Sequence, residues 1–285
     1  MPISIPKKLN GNLLKLIACF TMLIDHATAG IMLPMIRDGL YAGGLTNHEL
    51  NLIYKILRGI GRTAFPIFCF LIVEGFFHTK SRLKYALNLL LFGIISEPFF
   101  DLTLYAKADK YDFNIIKVLT ANSDILISHQ NVYFTLLIGL LVIWGIETIQ
   151  TRFGRILPLS DPMDMNLATV DGNINFISLI LSGALAAGCA YLAQRLHTDY
   201  RWWGVTLIVI FYLLRDFGVL SLLGGYLFIS NLGTEYLSFP AFILLLFYNK
   251  KRGKRLGRLK YCFYFFYPVH LLVIHLIRCL LFGLA

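Results

Sequence analysis

Charge is what this sequence has least of. Only 15% of its 285 residues are Asp, Glu, Lys or Arg, against roughly 25% in an average soluble domain. With 57% apolar residues, the shortage excludes both a disordered chain and an ordinary soluble enzyme. Several chemistries lack their signals as well. No glycine-rich phosphate loop of Walker or dinucleotide type is present, which argues against a nucleotide triphosphatase. No His-x-Glu, His-Glu-x-x-His or paired cysteine offers a zinc site, so no metal is expected, and Gly-x-Ser-x-Gly is absent. The five cysteines, Cys19, Cys69, Cys189, Cys262 and Cys279, are odd in number and sit in or at the ends of apolar runs. They read as small hydrophobes. No repeat of 20 to 50 residues and no low-complexity tract occurs, and the polar connections at 105–131 and 151–173 are too short to be domains. Residues 1–285 therefore read as one transmembrane domain.

What is abundant is apolar sequence in runs of membrane-spanning length. A hydrocarbon core about 30 Å thick needs roughly 20 helical residues, and candidate spans lie at 13–36, 52–77, 83–104, 132–150, 174–193, 236–249 and 260–283. Arg215 and Asp216 split 202–230 into two pieces, each short for a full crossing, which are either tilted spans or a re-entrant pair. The expected fold is all-α: a polytopic integral membrane helical bundle of about nine transmembrane segments, two of them candidates for re-entry. Lys7, Lys8 and Lys15 followed by Ala27-Thr28-Ala29 mimic a cleaved secretory signal, but apolar sequence resumes at Gly30, so the first run is expected to stay as a span.

The formal charge of +10 fixes the orientation. Nine spans with a cytosolic N-terminus put 16 of the 26 basic residues inside, against six acids that include Asp161, Asp164 and Asp171. Lys and Arg gather in cytoplasmic loops. Fusing 202–230 into one span would move the run from Lys250 to Arg255 outside, which argues against the fusion. The same location speaks against nucleic acid as the partner and for a cell (cytoplasmic) membrane protein whose environment is the lipid bilayer.

Ionisable side chains at mid-bilayer cost a few kcal/mol each and are functional candidates by default. At 1.5 Å per residue, Asp25 and His26 stand about 18 Å up the first span and Arg62 about 15 Å in from the outer end of the second. Glu97 stands about 21 Å up the third span and His270 about 15 Å up the last. Pairing needs one acid for the Arg, whereas two acids, an Arg and two His make the inventory of acid–base chemistry or of a proton path. Neighbouring helical residues point about 100° apart, so Asp25 and His26 cannot share a face. Pro66 and Pro268 are expected to kink their helices beside these residues. Asn131 is placed to cap the fourth span, and Glu74 either faces a cofactor channel or pairs with a cation of the following loop.

On the inner side, Lys80, Arg82 and Lys84 and the cluster at 250–260 form a positive-inside face. The sharper reading is a clamp for the phosphates of coenzyme A.

With these residues laid out, the sequence resembles the TraX family, membrane proteins associated with N-acetylation of conjugative pilin, and in turn the wider acyltransferase-3-like membrane acyltransferases. The resemblance runs through LLKLIACFTMLIDH at 13–26, LRGIGRTAFPIFCFLIVEGFFHT at 57–79, KYALNLLLFGIISEPFFDL at 84–102, QNVYFTLLIGLL at 130–141 and KYCFYFFYPVHLLVIH at 260–275. Over 150–235 it rests on hydropathy more than on letters. It implies transfer of an acetyl group from acetyl-CoA to an amine, with a peptide N-terminus, a glycan amine or a hydroxyl as the acceptor. On this expectation His26 is the general base or carries the acetyl group. Asp25 or Glu97 fixes its tautomer, Arg62 stabilises the oxyanion or holds the acid, and His270 is the rival base. Lys80, Arg82, Lys84, Lys251, Arg252, Arg255 and Tyr267 are the candidate cofactor-binding set, and a homo-oligomer is left open. The rival class is a proton-coupled transporter, which would want inverted repeats that the two halves lack. A non-catalytic scaffold would not need two buried His.

Overall fold

The computed structural model describes residues 7–124, 128–156 and 174–283. The connection at 157–173, with Asp161, Asp164 and Asp171, lies outside the described residues. Helices start where the sequence supplies caps. Asn10 accepts from Asn12 N and Leu13 N at the head of α1, Gly11–Ala27, and Thr46 and Glu49 form a reciprocal capping box on α3, Asn47–Gly61. Such a cap satisfies N–H groups that have no partner inside the helix. A π-helical turn, Thr28–Met32, carries α1 into α2, Leu33–Arg37.

α3 and α4, Ala64–His78, form one apolar run of 32 residues interrupted at Arg62 and Thr63. Pro66 has no N–H to give Arg62 C=O, and the break falls there. α5, Arg82–Phe100, ends in a second π-turn, Asp101–Tyr105. After α6, Ile115–Ala121, come α7, Val132–Phe153, and α8, Phe176–Arg195. α9, Arg201–Leu213, and α10, Val219–Ile229, are separate helices, divided by a 3-10 turn at Arg215–Phe217 and by Gly218 at φ 55°. α11, Phe239–Leu246, and α12, Lys260–Phe282, complete the chain. Pro268 sits inside α12 without ending it, and the Tyr264 carbonyl that proline leaves free accepts from the Tyr133 hydroxyl at 3.0 Å.

Among the described residues six helices are long and apolar enough to cross a bilayer, in Gly11–Arg37, Asn47–His78, Arg82–Tyr105, Val132–Phe153, Phe176–Arg195 and Gly257–Phe282. The chain is thus a multi-pass membrane protein. Arg201–Leu213, Val219–Ile229 and Glu235–Leu246 are apolar but shorter. A 13-residue helix is about 20 Å long against a core of about 30 Å. α8 carries the most lipid-like surface, with Phe176 and Ile180 about two-thirds exposed.

Polar links sort the loops into two ends. At the N-terminal end, Gly11 N and Asn12 N donate to the carbonyls of Lys251 and Arg252 at 2.9 and 3.0 Å. Glu74 there holds Arg215 at 2.9 Å and Tyr248 at 3.0 Å, so its cation comes from the α9–α10 turn and not from the loop that follows α4. At the opposite end Asp199 N donates to Gln130 O at 2.8 Å, and Asp38 pairs with Lys110 at 2.6 Å. Near that end Arg278, only 2% exposed, donates to Leu102 O at 2.9 Å and Thr103 O at 2.8 Å and reaches Gly30 O at 3.4 Å. One guanidinium thereby fastens both π-turns to α12.

Candidate active site

Between α1, α3, α4, α5 and α12 lies a cavity of about 260 Å³ that includes Asp25, His26, Arg58, Arg62, Tyr105 and Tyr267 in its wall. Asp25 and His26 diverge, as adjacent helical residues must, yet both reach this space. Asp25 turns toward α3. Arg58 donates to its Oδ2 at 2.5 Å, and Arg62 donates to Oδ1 at 2.8 Å and to Oδ2 at 2.9 Å. Arg62 also donates to Glu235 at 2.8 Å. Two cations and two anions thus neutralise each other, and breaking one buried pair of this kind costs about 3–5 kcal/mol. Gly61 makes the approach feasible, since a Cβ there would strike the Asp25 carboxylate.

His26 turns the other way, toward α12. Its Nδ1 lies 2.7 Å from Nε2 of His270, whose Nδ1 lies 2.7 Å from the Phe266 carbonyl. A carbonyl only accepts, so His270 Nδ1 carries the proton and donates. In the neutral pair His270 Nε2 is then the acceptor, and His26 Nδ1 must donate to it. This assigns the His26 tautomer from connectivity. The proton of His26 is on Nδ1, and its Nε2 is an unprotonated lone pair. That nitrogen makes no hydrogen bond among the described residues and belongs to a side chain in the cavity wall.

The partner that orients His26 is therefore His270 rather than Asp25 or Glu97. Asp25 is occupied by the two arginines. Glu97 stands outside the cavity wall, where its carboxylate accepts from Asn131 N at 3.1 Å and from the Asn131 side-chain amide. Asn131 in turn caps α7 by accepting from Tyr133 N at 3.0 Å, so Glu97 fastens α5 to the start of α7. Arg62 has both terminal nitrogens engaged by acids. Arg58 uses only one terminal nitrogen and is 28% exposed, which makes it the better donor toward a bound anion.

Of the candidate cofactor-binding residues, Tyr267 lines the cavity and the six basic ones do not. Lys80, Lys84, Lys251, Arg252 and Arg255 are exposed at the N-terminal end, while Arg82 is half-buried with its guanidinium 4.0 Å above the Phe76 ring.

A second, more polar chamber of about 490 Å³ adjoins the first and shares Arg62, Tyr105, Asp199 and Tyr200 with it. It is bounded at the opposite end by loop residues that include His129 and His197 and by Trp202 and Trp203 in the first turn of α9. The segment between the chambers is conformationally tense. His197, Tyr200 and Arg201 have φ of 50°, 62° and 46°, a region unfavourable for residues with a Cβ. Tyr200 is held there by stacking on Phe65, with ring centroids 3.5 Å apart. Burial pushes the Asp199 carboxyl up to about 6. Burial and the nearby His197 draw the His129 imidazole below its ordinary range.

Arg58, Asp199, Tyr200 and Glu235 are the site residues that sequence reasoning missed. For Arg58 a signal existed: it stands four residues before Arg62, which puts both on one face of a helix. Asp199, Tyr200 and Glu235 come from loops distant in sequence and carry no local mark.

The family described as TraX protein matches residues 10–278. The chain is also 30% identical over 264 residues to a Dichelobacter nodosus protein named probable fimbrial assembly protein FimC, serogroup H1, covering 90% of this chain and 91% of that relative. No solved structure matches it.

Proposed function

The chain belongs to the TraX family, and from that premise we propose that it is a membrane-embedded acetyltransferase moving an acetyl group from acetyl-CoA to an amine, with His26 as the general base. A place among the acyltransferase-3-like enzymes goes with this reading. The observation that carries it is the bare Nε2 of His26, set in a cavity wall by the chain from Phe266 through His270. A base must present an unprotonated nitrogen where the acceptor can reach it, and a paired structural histidine need not.

His26 Nε2 takes a proton from the acceptor nitrogen as the new C–N bond forms. The His270 ring accepts the Nδ1 hydrogen bond throughout and fixes which nitrogen is free, the part a carboxylate plays in other catalytic histidines. Arg58 faces the carbonyl oxygen with its uncommitted N–H groups and stabilises the negative charge that gathers there. As the C–S bond breaks, His26 returns the proton to the departing thiolate. Arg62 positions Asp25 and Glu235 and does no chemistry.

At about 260 Å³ the cavity is below the roughly 300–1,000 Å³ of a pocket for a drug-sized ligand. It suits a thioester end and an acceptor amine. The coenzyme A nucleotide would rest outside it, on the basic face formed by Lys80, Lys84, Lys251, Arg252 and Arg255. That face is cytosolic in this reading. The chain crosses the cytoplasmic membrane nine times, with α9, α10 and the segment ending in α11 as the three short crossings. The fimbrial assembly name of the Dichelobacter relative favours a pilin-like acceptor.

The test is acetyl transfer, or slow thioester hydrolysis, by the purified protein with acetyl-CoA. His26→Ala is expected to lower turnover at least a hundredfold. Unchanged turnover in both His26→Ala and His270→Ala would remove the mechanism.

A further inference from the structure

Among the described residues the two chambers together hold three acids: Asp25 and Asp199 line the first, and Asp199 and Glu235 the second. Asp25 and Glu235 are bound to arginine. Among the described residues Asp199 makes no salt bridge, and its carboxylate accepts a backbone hydrogen bond from Tyr200 N at 3.1 Å. It is the only one of the three in both walls. Its position is held from several directions: its N–H donates to Gln130 O at 2.8 Å, its carbonyl accepts from the Thr135 hydroxyl, and the residues after it are pinned in a left-handed conformation against Phe65. A carboxylate in no ion pair among the described residues, set in the wall that the two chambers share and held by a strained loop, is arranged for a cation that arrives and leaves.

We propose that Asp199 receives the acceptor's ammonium group at the neck between the two chambers and takes its first proton. This rests on the acetyl-transfer reading and deepens it, because an amine at neutral pH is protonated and cannot attack a thioester until it loses a proton. Two protons must then leave one nitrogen. Asp199 takes the first and leaves a neutral amine. The amine lone pair forms the C–N bond, His26 Nε2 takes the second proton, and the C–S bond breaks with that proton passing to the thiolate. Asp199 then releases its proton to water in the outer chamber. The balance is ammonium and thioester to amide, thiol and one proton. The division of labour also gives the second chamber a purpose, as the route by which the acceptor reaches the neck from the end opposite the basic face.

Trp202 and Trp203 in that chamber's wall supply the readout. Binding of glycinamide, a primary ammonium, and of its neutral isostere glycolamide is measured by tryptophan fluorescence on the full-length protein in detergent. The wild-type chain is expected to bind glycinamide at least tenfold more tightly, and Asp199→Asn to lose that preference while Asp199→Glu keeps it. Equal affinity of the wild-type protein for the two probes, or an undiminished preference in a folded Asp199→Asn, overturns the proposal. If glycinamide binds with the expected preference but receives no acetyl group, the acetyltransferase reading fails and the ammonium site stands.

Discussion

At the scale of single residues, the site works by giving neighbouring side chains different partners. Asp25 and His26 are adjacent in sequence, yet one is neutralised by arginine and the other held by a second imidazole. Their substitutions should fail differently. Arg62→Met strands the buried Glu235, whose salt bridge among the described residues is to Arg62, and leaves Asp25 to Arg58 alone; it is expected to cost about 3–5 kcal/mol, read as a lower unfolding midpoint in detergent. Arg58→Met leaves Asp25 still bound by Arg62 and removes the more exposed of the two arginines, so it should lower the midpoint less than Arg62→Met does. The oxyanion role proposed for Arg58 predicts that the same variant nevertheless cuts acetyl transfer about a hundredfold, and a variant that transfers normally would take Arg58 out of the chemistry. Asp199 adds a pH dependence. Its carboxyl titrates at about 6 when folded and near the ordinary 3.8 when unfolded. Between those values the folded state holds the proton more tightly, so this group's contribution to stability falls as pH rises through the interval. Asp199→Asn should melt above wild type at pH 7, and the gap should close by pH 4.

At the scale of elements, departures from regular helix surround the cavity. Two π-turns and the α3–α4 break contribute to its wall, and such irregular backbone is tolerated inside a membrane only where its free groups find partners. Arg278 provides those partners to both π-turns. Arg278→Lys keeps the charge but replaces a planar fork with one ammonium, which cannot serve Leu102 O, Thr103 O and Gly30 O together. Hydrogen exchange is expected to speed up within 28–33 and 101–106 while the first turns of α1 keep their protection. Uniform exchange across α1 would show that Arg278 holds nothing local. The prolines were legible in the sequence as sites of freed carbonyls. Their outcomes were not, because Pro66 falls where the helix breaks and Pro268 falls where the Tyr133 hydroxyl fills the gap.

At the scale of the whole molecule, the bundle separates a basic end from an end where the second chamber lies. A cysteine in place of Arg255 should react with membrane-impermeant maleimide only after the cell is opened. One in place of Lys107 should react in intact cells. The reverse pattern would invert the orientation and put the second chamber in the cytosol.

The sequence by itself determined the helical membrane character and most helix ends. Apolar runs, caps and the split at Arg215 and Asp216 are local, and hydrogen bonding within a lipid core leaves a helix little alternative. It also marked His26, Asp25, Arg62 and His270, because a buried charge is conspicuous against apolar neighbours. Only the tertiary structure decided how these groups pair. Which acid meets Arg62, whether a carboxylate or a second histidine orients His26, and which carboxylate lies between two chambers all depend on helices distant in sequence. A pairing is a distance between chains of atoms in space, and no spacing along the chain encodes the approach of α12 to α1 or of the 196–200 loop to Arg62.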